Sequence, residues 1–146
     1  DVIRRVRPEI VITHWHGSWH KDHCAASELT KVGVFYASLP TLVREEPAFG
    51  PTLLLFGENW EDDDGFVPSY LVDVSSGFEA WKVAASSYEL ARGLSSFPYL
   101  DYYASLYRLR GCIRGTMYAQ AFTGMSNSWR AGAGLFLPPA AGGTDG

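Results

Sequence analysis

Thiols, positive charge and long apolar runs are what this sequence has little of, and each shortage removes a class of protein. Two cysteines, Cys24 and Cys112, without CxxC spacing cannot build a disulfide framework. Reduced, buried thiols in a cytoplasmic protein are the expectation. Twelve Lys and Arg stand against sixteen Asp and Glu, for a formal net charge of −4, and no basic cluster extends beyond Arg4, Arg5 and Arg7. A nucleic-acid surface needs a basic stripe, so nucleic acid is not an expected partner. No apolar run approaches the ~20 residues that span a bilayer, and no membrane span is expected. An internal repeat, a phosphate-cradling loop of Walker or dinucleotide type and a GxSxG nucleophile elbow are likewise missing.

What is present is the mixture of a globular domain: 47% apolar against 19% charged residues in a chain of 146, enough to bury one core. Residues 1–124 are expected to form that domain, and residues 125–146, mostly small and rich in Pro, Ala and Gly, an irregular or disordered tail. Residues 1–7 read as a helix with basic residues in its last turn, stopped by Pro8. A beginning of that kind, without Met, reads as the continuation of an upstream portion.

Short β-branched runs then alternate with longer periodic stretches, as in an α/β fold. Residues 9–13, bounded by Pro8 and a polar segment, predict a buried strand. Ala25, Leu29, Val32, Tyr36 and Leu39 recur at helical spacing and predict a helix over residues 20–38, with a strand over 32–36 as the competing reading. A second buried strand is expected over residues 52–56. The acidic stretch after it, with Glu58, Asp62, Asp63 and Asp64, is read as a solvated loop before a cation site. Residues 68–74 predict a third strand. Ser76 and Glu79 match a capping box ahead of a helix that carries Trp81, Ala84, Tyr88 and Ala91 on one stripe and stops at Gly93. A last helix is expected from Pro98 to about Phe122, with Leu100, Tyr103, Tyr107 and Met117 towards the core and Gly111 and Gly115 packed closely against a neighbour.

All four histidines, His14, His16, His20 and His23, lie within ten positions. Histidine is the commonest metal ligand and exchanges protons readily near neutral pH, so this density marks the candidate site. The first strand would deliver the segment to its carboxyl end, where open α/β sheets hold their ligand sites. His20 and His23, three apart on the first turn of the following helix, would share one face and point into one cavity. Taken alone, the cluster is also consistent with a self-contained metal site of all four rings, or with solvated loop residues.

Several segments, in order, resemble the PIG-L/LmbE-like deacetylases. They are the stretch Arg7, Pro8, Glu9, Ile10, Val11, Ile12, Thr13, His14, then His20, Lys21, Asp22, His23, then Val72, Asp73, Val74, Ser75 with Lys82, and finally Arg110 onward to Phe122. Glu58, Asn59, Trp60, Glu61 and Asp62, with Gly65, Phe66 and Pro68, look like one bacterial branch of that family. The resemblance covers residues 1 to about 124. It implies a Rossmann-like, three-layer LmbE-type α/β fold, of which this chain is the carboxyl-terminal part. It also implies a zinc-dependent hydrolase that removes an acetyl group from an N-acylated amino sugar or glycoconjugate. His23 would be a ligand of the single zinc ion, His20 the neighbouring acid, Asp73 a structural residue at a strand end, and His14, Ser18 and Trp19 the wall of the pocket mouth. A zinc-bound water is a usable nucleophile at neutral pH, and a positioned imidazole can protonate a leaving amine.

The chain also departs from that pattern. No segment corresponds to the Ala-His-Pro-Asp-Asp-type stretch that carries the family's two other ligands and its general base, Gln120 stands where Glu is usual, and Tyr88 where many members carry His. A catalytic zinc takes three protein ligands and an open position. The expectation is therefore a chain inactive by itself, completed by an amino-terminal half or by another subunit, with a homo-oligomer among the expected assemblies. A non-catalytic interaction module with the same fold is the alternative of a different class.

Overall fold

The computed structural model describes residues 1–60, 64–94 and 96–126. Strand β1 (Ile10–His14) pairs in parallel with β2 (Leu53–Gly57), and β4 (Ala119–Ser126) runs antiparallel between β2 and β3 (Tyr70–Asp73), giving the order β1-β2-β4-β3. Residues Leu53, Leu54, Leu55 and Phe56 are all buried, which explains why β2 has no polar alternation: both of its faces are covered. Leu53 and Leu55 pack with Phe122, Ile10, Tyr70 and Val72 as the core under one layer of helices. The sequence reading of β1 as a buried strand is corrected. It lies at the edge of the sheet, and Ile12 is 62% exposed.

Helices α1 (Val2–Val6) and α2 (Lys21–Ser38) cover one face, and α3 (Phe78–Ala85) and α4 (Tyr99–Arg114) cover the other, so the layers are helix, sheet, helix. Helix α2 sits over β1, where the Thr30 hydroxyl donates to Thr13 Oγ1 (3.2 Å). The helix reading of residues 20–38 holds and the competing strand does not form. Its predicted apolar stripe is exposed, however: Leu29, Val32 and Tyr36 face outwards, while Ser27, Val34 and Ala37 are the buried positions. Helix α2 thus carries apolar residues on more than one side.

The buried side chain of Arg4, 2% exposed, fixes how α1 meets α2. Its guanidinium donates to the carbonyl oxygens of Ala37 (3.0 Å), Tyr36 (3.2 Å) and Leu39 (2.7 Å) at the end of α2, and to that of Glu46 (3.1 Å). Helix ends leave carbonyls without intrahelical partners, and their partial negative charge favours a cation. Next to it, Arg7 ends α1 in the left-handed conformation (φ 52°) and lies 4.5 Å over the Phe49 ring.

Three sequence expectations about the second half are revised. The capping box of Ser76 and Glu79 does not form. The Asp73 carboxylate instead accepts the Ser75 backbone N–H (2.9 Å) and hydroxyl (2.6 Å), turning the chain before α3 begins after Gly77. The helix expected to reach Gly93 ends at Ala85, and Leu90–Leu94 forms a separate wide turn. The last helix stops at Arg114, because Gly115 adopts φ 82° and caps it, after which β4 starts at Ala119; Met117 is 58% exposed and not in the core. The close approach expected at the glycines is real at Gly111, where a Cβ would lie 2.5 Å from the Met117 carbonyl oxygen. Strand β4 runs on to Ser126, so the first two residues of the tail expected over residues 125–146 belong to the sheet, and residues 127–146 lie outside the described residues. No described helix is long and apolar enough to cross a membrane.

Replacing Arg4 by Met should orphan the carbonyls that end α2 and lower stability by roughly 2–3 kcal/mol, the scale of charged hydrogen bonds lost from a buried site. A urea midpoint unchanged from wild type would contradict that role. The hydrogen bonds from Ser75 hold the Asp73 carboxyl below its usual value of 3.8. A folded-state value below the unfolded one means the unfolded chain takes up protons first, so this contribution is complete above about pH 4 and fades as pH falls through the lowered value. Asp73→Asn should flatten that acid limb in a pH series of melting temperatures.

Candidate active site at the carboxyl ends of β1 and β2

The parallel register sets His14 opposite Gly57, so the histidine segment and the loop of Glu58 and Asn59 leave the sheet side by side. Between them opens a cavity of about 600 Å³. Its floor is the sheet, through Ile12, Thr13, Gln120 and Phe122; its rim carries His14, His23, Glu58 and Asn59; its far wall is Trp81 of α3 with Tyr103 and Tyr107 of α4. The location is the one that the crossover logic of α/β sheets favours.

The histidines divide into three that converge and one that does not. The His14 and His23 rings stack with centroids 4.0 Å apart and planes 10° from parallel, and His20 lies 4.8 Å from His23 at 50°. His16 turns away to the indole of Trp15, 4.0 Å off. Ser18 organises the start of α2: its hydroxyl accepts the His20 backbone N–H (3.0 Å) and lies 3.2 Å from His23 Nδ1. Trp19 is 85% exposed and is not part of the cavity lining. The half-buried Cys24 thiol donates to the carbonyls of His16 and Ser18, at 3.3 Å each. Both cysteines are free, and Cys112, expected to be buried, is exposed on α4.

Residues outside the histidine cluster hold this geometry. Trp15 fixes the histidine loop, with its indole N–H on the Asp64 carbonyl oxygen (2.9 Å) and its ring edge-on to Phe56 and Phe66, each at 5.7 Å. Helix α4 and the residues just ahead of it grip the opposite loop at three successive residues. Arg110 makes a two-pronged ion pair with Glu58, through Nε (3.0 Å) and through a second nitrogen; the Tyr103 hydroxyl donates to Asn59; and Phe97 stacks on Trp60 at 4.1 Å just ahead of the helix. The Glu58 hydrogen bond raises the Arg110 value further above its ordinary range and so holds the guanidinium in its charged form. Burial, and secondarily the Glu58 charge, push the Tyr107 phenol up as well, keeping it a protonated donor at the cavity wall. The sequence signal for these is the i, i+4 spacing of Tyr99, Tyr103 and Tyr107 on α4, but it does not distinguish a cavity wall from core.

Among the described residues, no group of three or more His, Cys, Asp or Glu is arranged to hold a metal ion. The self-contained site of four histidines is therefore not assembled, with His16 drawn off by Trp15. Asp62 and Asp63 of the acidic stretch lie outside the described residues.

An α/β sheet with a polar cavity at its strand ends is the class that fold and site define. No family model and no curated protein matches the sequence. Solved structures do match. The conserved protein TT1542 of Thermus thermophilus is 29% identical at a TM-score of 0.70, over 84% of this chain and 53% of that one. GalB, the 4-carboxy-2-hydroxymuconate hydratase of Pseudomonas putida, is 20% identical (TM-score 0.72; 86% and 55%). The N,N'-diacetylchitobiose deacetylase of Pyrococcus horikoshii is 17% identical (TM-score 0.61; 92% and 52%). The chain shares their α/β fold, that of an LmbE-like deacetylase included, and spans about half the length of each.

The ion pair of α4 gives a direct test of the wall. With side chains 21% and 13% exposed, neither Arg110 nor Glu58 is well hydrated, so Arg110→Met should strand the carboxylate and cost roughly 2–4 kcal/mol. The double variant Arg110→Met, Glu58→Gln should recover part of that loss. Equal destabilisation by the single and the double change in chemical denaturation would rule out the pairing as the cause.

Proposed function

We propose that the chain forms one part of a zinc-dependent amide hydrolase that removes an acetyl group from an N-acylated amino sugar or glycoconjugate. The observation that carries this reading is the pair of stacked rings, His14 and His23, at the rim of the strand-end cavity, with Ser18 on His23 Nδ1 and the exposed His20 ring 4.8 Å from His23 just outside the lining. A hydrogen bond on one ring nitrogen is how proteins orient an imidazole that ligates through the other. His23 Nε2 is accordingly the atom assigned to the metal. His20 is assigned to hold a proton for the leaving amine, and Tyr107 and Asn59 to hydrogen-bond the bound sugar. The ordered motif resemblance and the shared fold with the chitobiose deacetylase support the class, while the hydratase with the same fold supports none of it, since a fold hosts more than one chemistry.

A catalytic zinc takes three protein ligands. The described residues offer His23 and do not complete the set, so no step through the ion follows from them alone. We assign the remaining ligands and the base to a further segment or another subunit. The edge of β1 is where it would join, extending the sheet beside Ile12 and covering Leu29, Val32 and Tyr36 of α2. That same exposed flank favours the second reading, an interaction module without catalysis.

Under the leading reading, this chain alone should bind zinc weakly, in the micromolar range or above, lose that binding in His23→Ala but keep it in His16→Ala, and release no acetate from N,N'-diacetylchitobiose. Calorimetric titration with zinc and an acetate assay check each part. Tight one-to-one binding that needs His16, or rapid deacetylation by the lone chain, would overturn it; a zinc affinity indifferent to His23→Ala would favour the interaction module.

A further inference from the structure

Each of the two stacked histidines depends on a residue that is held by the loop after β2. His14 is followed at once by Trp15, whose indole N–H donates to the Asp64 carbonyl oxygen (2.9 Å) and whose ring stands edge-on to Phe56 and Phe66. Gly17 lies on the same contact: a Cβ there would be 2.3 Å from the Asp64 oxygen and 2.7 Å from the indole nitrogen. Approach that close excludes any side chain unless the Asp64 backbone gives way. Ser18 comes next, with its hydroxyl 3.2 Å from His23 Nδ1. One backbone carbonyl thus meets the histidine segment at two points, just after His14 and just before the hydroxyl that meets His23.

The His14 and His23 planes lie 10° from parallel at 4.0 Å, a stack that depends on where the chain is sent after β1 and on where Ser18 sits. Both are set against Asp64. We propose that Trp15 and Gly17 are positioning residues of the histidine site, a clasp that transmits the position of the loop after β2 to the orientation of the His14 and His23 rings. Helix α4 holds the same loop at Glu58 and Asn59, so the two rims of the cavity form one unit. An outer partner that orients a ligating imidazole contributes to metal affinity without touching the metal. The proposal rests on the amide-hydrolase reading for its zinc readout only, because ring orientation is measurable without the ion.

The test uses the whole chain, with zinc as the probe and the ring C–H resonances of His14 and His23 as the metal-free readout, since stacked rings shift each other's resonances. Trp15→Phe keeps a ring for Phe56 and Phe66 but lacks the N–H, and Gly17→Ala drives the carbonyl off from the other side. Each should move both ring resonances and weaken zinc binding by about tenfold, the lower end of what loss of an outer partner costs. The double variant should bind no more weakly than the weaker of the two, because both changes break one contact. Arg4→Met, which acts at the far end of α2, should leave the rings and the zinc affinity as they are. Unmoved resonances in Gly17→Ala, additive losses in the double variant, or an equal zinc loss in Arg4→Met would overturn the clasp. So would an unchanged zinc affinity in both single variants when His23→Ala abolishes binding. Resonances that move in Gly17→Ala, in a chain that binds no zinc through His23, would uphold the clasp and remove the metal reading.

Discussion

The parallel pairing of β1 with β2 is the constraint on which the site depends. Parallel strands end together, so whatever follows each of them in sequence is delivered to the same edge of the sheet. Register then does the detailed placement. With His14 opposite Gly57, the first residues beyond each strand are a histidine loop and a carboxylate–amide loop, separated by one strand spacing. A slip of one residue would send His14 to the α2 face, where Thr13 now meets Thr30, and would leave the cavity without its stacked imidazoles. The apolar contacts of Leu53 and Leu55 with Ile10 and Phe122 are what penalise such a slip.

The two loops are held by different means, and the difference matters for what each can do. The histidine loop is anchored through one indole, Trp15, and through the start of α2, where Ser18 and Cys24 satisfy backbone and ring groups. The opposite loop is held residue by residue, from α4 by an ion pair on Glu58 and a hydrogen bond on Asn59, and from Phe97 just ahead of α4 by a stacked ring on Trp60. An ion pair that is poorly hydrated adds little net stability but fixes geometry, since breaking either half strands a charge. The α4 wall is thus the rigid reference against which the histidine side is set.

Much of this is legible in the sequence, and the failures share a cause. The strand-ends location, the α/β class and the pairing of His20 with His23 on one helical turn all follow from local pattern. Local pattern does not say which side of an apolar helix meets the sheet, and α2 shows the consequence: its regular stripe of Leu29, Val32 and Tyr36 faces out, while Ser27 faces in. The last helix reads as too long because Tyr103 and Tyr107 set a period that Gly111 and Gly115 do not visibly interrupt; the left-handed turn at Gly115 and the backbone contact at Gly111 are tertiary facts. The alternation of Ala119, Ala121 and Thr123 with Gln120 and Phe122 is the strand signal that this helical period masks. Arg4 reads only as one of the basic residues in a last helical turn, and nothing within a few residues of it reveals that the end of α2 lies over it.

The exposed flank of α2 and the open edge of β1 are two aspects of one geometric fact. On α2 the Lys31, Phe35 and Ser38 side reaches towards Leu54 and Met125, over the middle of the sheet. Leu29 and Tyr36 lie on the opposite side of the helix and hence beyond β1, where the sheet has no further strand among the described residues. An edge strand with unpaired backbone groups invites another strand, and natural proteins blunt such edges with charge, proline or a covering element. Among the described residues none of these covers β1, whose exposed positions are Ile12 and His14. The same strand therefore offers a hydrogen-bonding edge, an apolar flank above it and a histidine at its end. A strand paired with this edge at the sheet's ordinary spacing would lie beside the histidine as well as beside the apolar flank.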